Sequence, residues 1–277
     1  MYKYINILSL IIILLFLTLL ISKQKNFKNI NIVLLIIVVL FLTIFINNQE
    51  NFKSSNIPKK IYLSFKTKDI PEYILDNWKE LNPGYEVSLF DNNDCKEFLL
   101  ENYSKKYVEL FDFLEDGPIK ADFWRVCILY KYGGVYADVD IELLVPLDYI
   151  INLEPDVSFI TCNSLSGNLN PHFILTVPQH PMLKKCIEEY IRKYESGEKY
   201  SYWGYSITGI MHNIYIQMVG DDVREGIYSD KRKEKYMIIT EEGEIDRLSE
   251  VYCSYKRERI LNNRHKSYDP LQHKFVR

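Results

Sequence analysis

The sequence has no excess of basic residues. Its 34 lysines and arginines are set against 37 aspartates and glutamates, and the formal net charge is −3. A nucleic-acid-binding face usually needs a strongly basic surface. The composition therefore predicts no nucleic-acid partner.

Cysteine is sparse, and the sequence contains no internal repeat and no low-complexity tract. None of the cysteines forms a C-x-x-C pair, and they are scattered along the chain at Cys95, Cys127, Cys162, Cys186 and Cys253. This spacing resembles neither a zinc site nor a dense disulfide framework. It does not identify the redox compartment.

Two long apolar runs lie near the N-terminus, at Ile5 to Ile21 and Ile30 to Ile46, and neither carries a charge. Each has the length of a short membrane span. We predict a membrane anchor of two apolar helices over residues 1–47 and a polar tether over residues 48–56. The alternative is a signal peptide in the first run, but no small-residue cleavage site follows it and a second apolar run comes too soon.

Lysines flank the second apolar run on both sides. Those in the loop between the runs favour a cytoplasmic loop and a lumenal domain, whereas those that follow the second run favour the opposite arrangement. The membrane orientation therefore stays open.

Strand and helix patterns alternate from residue 57 onwards. The β-branched and aromatic residues of Lys59 to Phe65 predict a strand, Pro71 to Leu81 a helix, and Tyr85 to Phe90 a second strand. Asp94 and Glu97 then resemble a capping box at the start of another helix. This alternation predicts an α/β fold in which helices pack on a sheet, with a single domain over residues 57–277.

The most informative segment is a predicted helix from Pro118 to Tyr132, with an apolar stripe and a glycine pair at its end. Val135 to Glu142 then alternate with period two, so Asp138 and Asp140 are expected on one face of one strand. Later segments carry weaker patterns: strands at Val157 to Cys162, Phe173 to Val177, Tyr236 to Thr240 and Val251 to Tyr255, helices at Met182 to Tyr194 and Ser206 to Val219, and a polar, irregular end from Leu261 to Arg277.

Asp138 and Asp140 are the strongest candidates for chemistry. Carboxylates are ligands for hard cations such as Mg²⁺ or Mn²⁺, and the phosphates of a substrate can complete the coordination shell. The non-functional alternative is a pair of solvated acids on an edge strand. The neighbouring pair Asp122 and Arg125 also has a purely structural interpretation. It would be an intrahelical salt bridge that stabilises the helix by a few tenths of a kcal/mol.

The residues around these acids resemble the sugar-binding D-x-D region of glycosyltransferase family 32, which includes yeast initiating α-mannosyltransferases. The resemblance covers most of residues 57 to 215. It is carried by Ile119 to Arg125 and Leu129 to Asp140, with further matches at Ile57 to Tyr62, Pro83 to Asp91, and Asn170 to Pro181.

The resemblance implies a GT-A-like fold: a nucleotide-binding mixed sheet flanked by helices. Together with the anchor predicted from the apolar runs, it implies a membrane-anchored, metal-dependent hexosyltransferase that uses Mn²⁺ or Mg²⁺. Such an enzyme would move a hexose or N-acetylhexosamine from a UDP- or GDP-linked sugar to a glycan, lipid or protein acceptor. The anomeric configuration would be retained.

The resemblance also implies roles for individual residues. Asp140 and Arg125 would be catalytic, with Asp140 on the metal and Arg125 on the departing phosphates. Asp122, Arg125 and Asp138 would bind the donor, and Asp138 would also contact the metal. The remaining assignments are Tyr62 and Gly134 to the donor, Asn170 and Trp203 to the acceptor side, and His265 to the metal.

Several of these positions have a structural alternative. Trp203 lies in an aromatic cluster of a kind that is more often core, and His265 without its motif is a surface histidine. His180, before Pro181, is expected to be a structural residue at a helix start.

Two other functions are alternatives to the glycosyltransferase. A membrane-bound metallophosphoesterase needs a second metal and a richer ligand set than five scattered histidines suggest. A non-catalytic lectin-like or scaffold protein would be favoured by loss of an acid or the arginine, yet Asp122, Arg125, Asp138 and Asp140 are all present.

Overall fold

The computed structural model of the protein describes residues 56–220, 223–243, 251–263, 268–269 and 274–275. The predicted anchor, most of the predicted tether and His265 lie outside these residues. Within the described ranges, no helix is both long and apolar enough to cross a bilayer.

The described chain alternates strands and helices in its first half and is richer in strands towards its end. The helices are α1 (Glu72–Leu81), α2 (Asn92–Asn102), α3 (Lys105–Phe113), α4 (Gly117–Tyr132), α5 (Leu147–Leu153), α6 (Pro181–Glu195), α7 (Tyr202–Tyr205) and α8 (Ile207–Met218). The strands are β1 (Lys60–Ser64), β2 (Glu86–Phe90), β3 (Gly134–Asp138), β4 (Glu142–Leu143), β5 (Phe159–Asn163), β6 (Leu169–Thr176), β7 (Gly226–Ser229), β8 (Lys235–Glu242), β9 (Tyr252–Tyr255), β10 (Glu258–Asn262), β11 (Tyr268–Asp269) and β12 (Lys274–Phe275).

The main sheet is mixed. Its strand order is β2-β1-β3-β6-β5-β8-β9-β10-β4, with β7 paired to β8. β1 runs parallel to both β2 and β3, and β3 runs antiparallel to β6. The predicted α/β fold with a mixed sheet and flanking helices is therefore confirmed.

Two apolar cores lie on opposite faces of the sheet. Along β3, Tyr136 belongs to the core that contains the large aromatic residues of α4, whereas Val135 and Ala137 belong to the other core. The period-two alternation of a strand sends neighbouring side chains to opposite faces. The run from Val135 to Ala137 is apolar throughout because both faces of β3 are covered.

Helix α4 is buried on all sides rather than along one stripe. Phe123, Val126 and Cys127 are buried as the sequence predicts, but Trp124, Arg125 and Ile128 are buried as well. A helix that is apolar all round lies inside a protein. The middle of α4, from Asp122 to Leu129, therefore lies inside the protein, and the apolar stripe alone does not predict this.

The glycine pair after α4 has two separate structural roles. Gly133 ends the helix with a φ of 63°, and its N–H donates to the Leu129 carbonyl at 2.8 Å. Gly134 lies in β3 with a φ of 103°, and a Cβ there would lie 2.6 Å from the Lys60 carbonyl oxygen. These conformations favour glycine because it has no Cβ.

Some predicted boundaries were wrong. The capping box of α2 is formed by Asp91, whose carboxylate accepts from Asn93 and Asp94 N–H groups, while Asp94 accepts from the Asp91 N–H. The box therefore lies three residues earlier than predicted. The C-terminal region predicted to be irregular contains the last two residues of β10, Leu261 and Asn262, which pair with β4 and β9. It also contains the short antiparallel pair of β11 and β12.

His180 is a structural residue, as predicted. It is the N-cap of α6, where Nδ1 accepts from the Met182 N–H at 3.2 Å. Its ring packs against Phe159 and Tyr236. Burial lowers the pKa of the imidazole to about 3.

The buried neutral imidazole predicts a loss of stability in acid. The unfolded chain binds a proton at this histidine below about pH 6.5, and the folded chain does not, so the free energy of unfolding falls as the pH drops. Between about pH 7 and about pH 5, we expect the wild type to lose about 2 kcal/mol more than His180→Asn. Asparagine can still cap the helix but does not titrate. Urea unfolding of the full-length proteins measures the difference, and equal losses would contradict this prediction.

Candidate active site

A cleft of about 290 Å³ lies at the carboxyl ends of β1 and β3. Ligands bind at this edge in open α/β sheets. One wall is the N-terminal half of α4, and the others come from the loop after β1, the start of α2 and the turn after β3. The lining residues are Ser64, Phe65, Lys66, Asn92, Cys95, Phe111, Gly117, Pro118, Ala121, Arg125, Asp138, Val139 and Asp140.

The two acids of the D-x-D motif line this cleft, but they do not share a strand. β3 ends at Asp138, and the Ile141 N–H donates to the Asp138 carbonyl at 3.1 Å, which closes a turn over Val139 and Asp140. The prediction of one continuous alternating strand was wrong, because alternating polarity is also compatible with a turn whose apolar residues are buried. Val139 and Ile141 are buried, and the acids are half-buried.

A buried ion pair holds Asp138 in place. Arg125 Nη2 lies 2.8 Å from Asp122 Oδ1 and 3.0 Å from Asp138 Oδ1. The Arg125 and Asp122 side chains are only 5% and 10% exposed, against 33% for Asp138. The estimate of a few tenths of a kcal/mol for an intrahelical pair applies to exposed helices. The predicted intrahelical salt bridge is present, but that estimate does not apply to a buried pair.

Further contacts fix the orientation of Arg125. Its Nη1 donates to the Pro171 carbonyl at 2.6 Å, and its guanidinium carbon lies 4.4 Å from the centroid of the Tyr136 ring. The Tyr136 hydroxyl in turn donates to Asp138 Oδ1 at 2.9 Å and lies 3.1 Å from Ser64 Oγ. The residues of α4, β1, β3 and β6 thus meet around one guanidinium.

Asp122 connects this network to α8. Its Oδ2 accepts the Ile207 N–H at 3.0 Å, at the first residue of that helix. Burial raises the pKa of Asp122 to about 6, although the Arg125 charge opposes this rise. For Arg125, burial acts to lower the pKa, but the neighbouring charges, first that of Asp138, outweigh it and raise the pKa.

The acids of the turn fit a hard divalent cation. Asp138 and Asp140 present carboxylate oxygens to the cleft, and such oxygens are the ligands that Mg²⁺ and Mn²⁺ prefer. The hydrogen bonds from Arg125 and Tyr136 both fall on Oδ1 of Asp138. Asp138 is thus oriented by two side chains, and Asp140 lies on the turn beyond it.

Two of the predicted donor-binding residues lie outside the cleft. Tyr62 is buried in the core against Phe90, with its ring centroid 6.2 Å away. Gly134 lies at the opposite end of β3 from Asp138, where it allows close packing against β1. The structure brings neither residue to the acids, and among the residues of β1 it is Ser64 that reaches the cleft.

The predicted acceptor-side residues lie apart from each other. Asn170 is half-buried and donates to Glu241 Oε1 at 3.2 Å. Trp203 is 81% exposed, so the core alternative was wrong, and it lines a surface groove beside α6 and α8. The structure does not bring Trp203 to the cleft lining.

Two residues near the site were not singled out in the sequence. Lys66 is an exposed cation in the cleft lining, on the loop that follows β1. Tyr202 lies close enough to Asp122 and Asp138 for their charges, after burial, to raise the pKa of its phenol. No local motif marks either residue, because their positions depend on how the loop and α7 pack against the rest of the fold.

The comparisons with known proteins agree with this site. Residues 71–156 match the family model described as glycosyltransferase sugar-binding region containing DXD motif, and they include the Asp122–Arg125 pair and both acids of the turn. These residues are therefore similar to a glycosyltransferase sugar-binding region. The resemblance to glycosyltransferase family 32 is confirmed.

Curated relatives match part of the chain. Inositol phosphoceramide mannosyltransferase 3 of Schizosaccharomyces pombe is 32% identical over 41% of this chain and 32% of its own length. Mannosyl phosphorylinositol ceramide synthase SUR1 of Saccharomyces cerevisiae is 32% identical over 48% of this chain and 34% of its own. Human α-1,4-N-acetylglucosaminyltransferase is 31% identical over 31% of this chain and 22% of its own. The matches to the two yeast relatives thus span about a third of each relative's length.

A solved structure, the PaToxG glycosyltransferase, also resembles this chain. It covers 63% of this chain and 76% of its own, with 17% identity and a TM-score of 0.43. A likeness at this level carries no information about individual residues.

The buried ion pair predicts a large effect on stability. Arg125→Met leaves the Asp122 carboxylate buried without its cation, so we expect the free energy of unfolding to fall by about 3–5 kcal/mol. In the double variant Asp122→Asn/Arg125→Met, the loss should be smaller than the sum of the two single losses, because the charge leaves together with its partner. Urea unfolding of the full-length variants measures this coupling.

Arg192→Met is the matched control for this cycle. Arg192 pairs with Glu189 on the exposed face of α6 at 2.7 Å, and exposed pairs contribute little. A loss for Arg125→Met as small as that for Arg192→Met would show that the buried network does not hold the fold.

Proposed function

We propose that the protein is a metal-dependent glycosyltransferase that moves a hexose or N-acetylhexosamine from a UDP- or GDP-linked sugar to a glycan, lipid or protein acceptor. The observation that carries the proposal is the turn after β3. It presents Asp138 and Asp140 to a cleft at the carboxyl ends of two parallel strands, and Arg125 orients Asp138 from behind. The match of residues 71–156 to a D-x-D glycosyltransferase region supports it.

The two acids of the cleft have proposed roles in binding the metal and the donor. We assign Asp140 to a Mn²⁺ or Mg²⁺ ion, and Asp138 to the same ion or to the donor ribose. A bound divalent cation would stabilise the negative charge that develops on the departing diphosphate. His265 stays a predicted third ligand, since it lies outside the described residues.

Arg125 takes a different role from the one the sequence suggested. Its guanidinium is 5% exposed and contacts Asp122, Asp138 and the Pro171 carbonyl. A group held in this way positions Asp138 rather than meeting the diphosphate. Lys66, which is exposed in the same cleft, is the cation that we assign to the donor phosphates.

The reaction is proposed to retain the anomeric configuration, as the family resemblance implies. Asp138 and Asp140 are the acids among the described residues that line the cleft, and both are assigned to the metal and donor. This assignment leaves neither acid for a covalent sugar intermediate. We therefore favour attack by the acceptor on the face that the diphosphate leaves, guided by the donor phosphate.

The relatives suggest which sugars to test first. Several of them are named as mannosyltransferases or mannosyl synthases acting on inositol phosphoceramide, and one is named as an N-acetylglucosaminyltransferase. GDP-mannose and UDP-N-acetylglucosamine are therefore the leading donors. A phosphoinositol lipid is the leading acceptor, which is compatible with the predicted membrane anchor.

Donor turnover by the full-length chain, purified in a mild detergent, tests this function. We expect one of the nucleotide sugars to be cleaved or transferred with Mn²⁺ or Mg²⁺ present and not with EDTA. Asp140→Asn should lower kcat by roughly 10²–10³-fold, the range seen when an electrostatic stabilising group is lost. Nucleoside diphosphate release and mass spectrometry of the acceptor give the two readouts.

Asp148→Asn is the control variant. Asp148 is an exposed acid that pairs with Lys59 at 2.8 Å and does not line the cleft, so its turnover should match the wild type. If the folded wild type neither binds nor cleaves any of the donors, the enzyme proposal is wrong and the non-catalytic alternative replaces it.

The assignment of Lys66 makes a separate prediction. Lys66→Met removes a positive charge from the cleft, so the KM for the donor should rise by roughly tenfold while kcat changes less. The matched control is Lys68→Met, because Lys68 is a nearby exposed lysine that pairs with Asp94 at 2.8 Å outside the cleft. Equal KM values for the wild type and Lys66→Met would show that Lys66 does not meet the donor.

A further inference from the structure

A second cluster of metal-ligand side chains lies within the sheet, and it shares no residue with the D-x-D acids. Cys162 on β5, His172 on β6 and Cys253 on β9 bring one ligand atom each to within 4.8 Å of one another. All three side chains are buried. Their scattered positions in the sequence give no sign of a metal site, because the sheet alone brings them together.

The strand pairing explains how the cluster forms. β5 and β9 both pair with β8, Cys162 opposite Ile239 and Cys253 opposite Glu241, so the two thiols come from the strands on either side of β8. On β6 the pairing with β5 shifts its register between Thr161 and Cys162. His172 lies in the stretch of β6 that this shift leaves out of the ladder.

The distance between Cys253 and His172 fits a tetrahedral ion. A thiolate and an imidazole nitrogen bound to one Zn²⁺ lie about 3.6 Å apart, given bond lengths of about 2.3 and 2.1 Å and a tetrahedral angle. Cys253 Sγ lies 3.8 Å from His172 Nε2. Asn263 Oδ1, at 3.2 Å from Cys253 Sγ, adds an oxygen on the same side.

A thiol–imidazole hydrogen bond is the simpler explanation, but it leaves one atom unexplained. His172 Nδ1 is buried and has no hydrogen-bond partner among the described residues. A buried polar atom without a partner often indicates an ion or water that the protein atoms alone do not account for. The two ring nitrogens diverge, so the partner of Nδ1 would be a separate buried water, and the case for an ion rests on Nε2 and the two thiols.

We propose that Cys162, His172 and Cys253 form a structural zinc site, with the fourth position taken by Asn263 Oδ1 or a water. Two thiolates and an imidazole select Zn²⁺, whereas the oxygen ligands of the D-x-D turn select Mg²⁺ or Mn²⁺. The ion would connect β5, β6 and β9. β9 pairs with neither β5 nor β6, because β8 lies between β5 and β9. The proposal does not depend on the glycosyltransferase function.

Cobalt substitution of the full-length protein tests the site directly. After metal removal by a chelator under reducing conditions, Co²⁺ should bind with intense thiolate-to-cobalt charge-transfer absorption and the visible bands of a tetrahedral site. Zinc should displace the signal at about one ion per chain. The carboxylate turn cannot produce thiolate bands, so Asp140→Asn should leave the spectrum unchanged.

Variants assign the signal to its ligands. Cys162→Ser and Cys253→Ser should each abolish or strongly reduce the thiolate bands, and His172→Gln should weaken zinc binding. Cys186→Ser is the matched control, since Cys186 is equally buried but lies on α6 in the other core. Loss of the bands in the Cys186 variant, or their survival in both ligand variants, would overturn the assignment.

The wild type provides a test that needs no variant. Zinc that binds only the folded chain should raise its Tm by roughly 5–10 °C over the chelated protein when present well above its Kd. The proposal is overturned if the folded, reduced wild type gives neither thiolate bands nor a zinc-dependent Tm. It is also overturned if a thiol count under denaturing conditions shows that Cys162 and Cys253 form a disulfide.

Discussion

One buried guanidinium holds together the parts of the fold that form the cleft. Arg125 extends from α4 between the carboxylates of Asp122 and Asp138, stacks on Tyr136 and binds the Pro171 carbonyl. A buried arginine is tolerated only when its charge and its donors are matched. The partners come from α4 itself, from β3 and from β6, so the pairing requirement fixes how these three elements meet.

The ion pair of Arg125 also involves a residue of the cleft. The same carboxylate that neutralises Arg125 also faces the cleft, so Asp138 is both a structural partner and a site residue. Asp140 lies two residues further on, where the strand has ended and the chain turns. One acid therefore lies at the end of a strand and the other on a turn, because β3 stops at Asp138.

Two kinds of ligand set occur in the fold, and they differ in hardness. The turn after β3 offers carboxylate oxygens to an open cleft, whereas the strands around β8 enclose two thiols and an imidazole. Hard cations prefer the first set and borderline cations such as zinc prefer the second. The two sets share no residue, so variants can examine their chemistry separately.

Local signals in the sequence were sufficient for the main elements and for the family. The apolar strand of β1, the glycines after α4 and the D-x-D acids are local patterns, and local backbone preference and burial determine them. The sequence could not reveal that the strand ends at Asp138, that Arg125 is buried, or that Lys66 and not Tyr62 reaches the cleft. It also could not show that Cys162, His172 and Cys253 converge. Those features depend on contacts between residues far apart in the chain, and only the packed sheet and helices decide which of them meet.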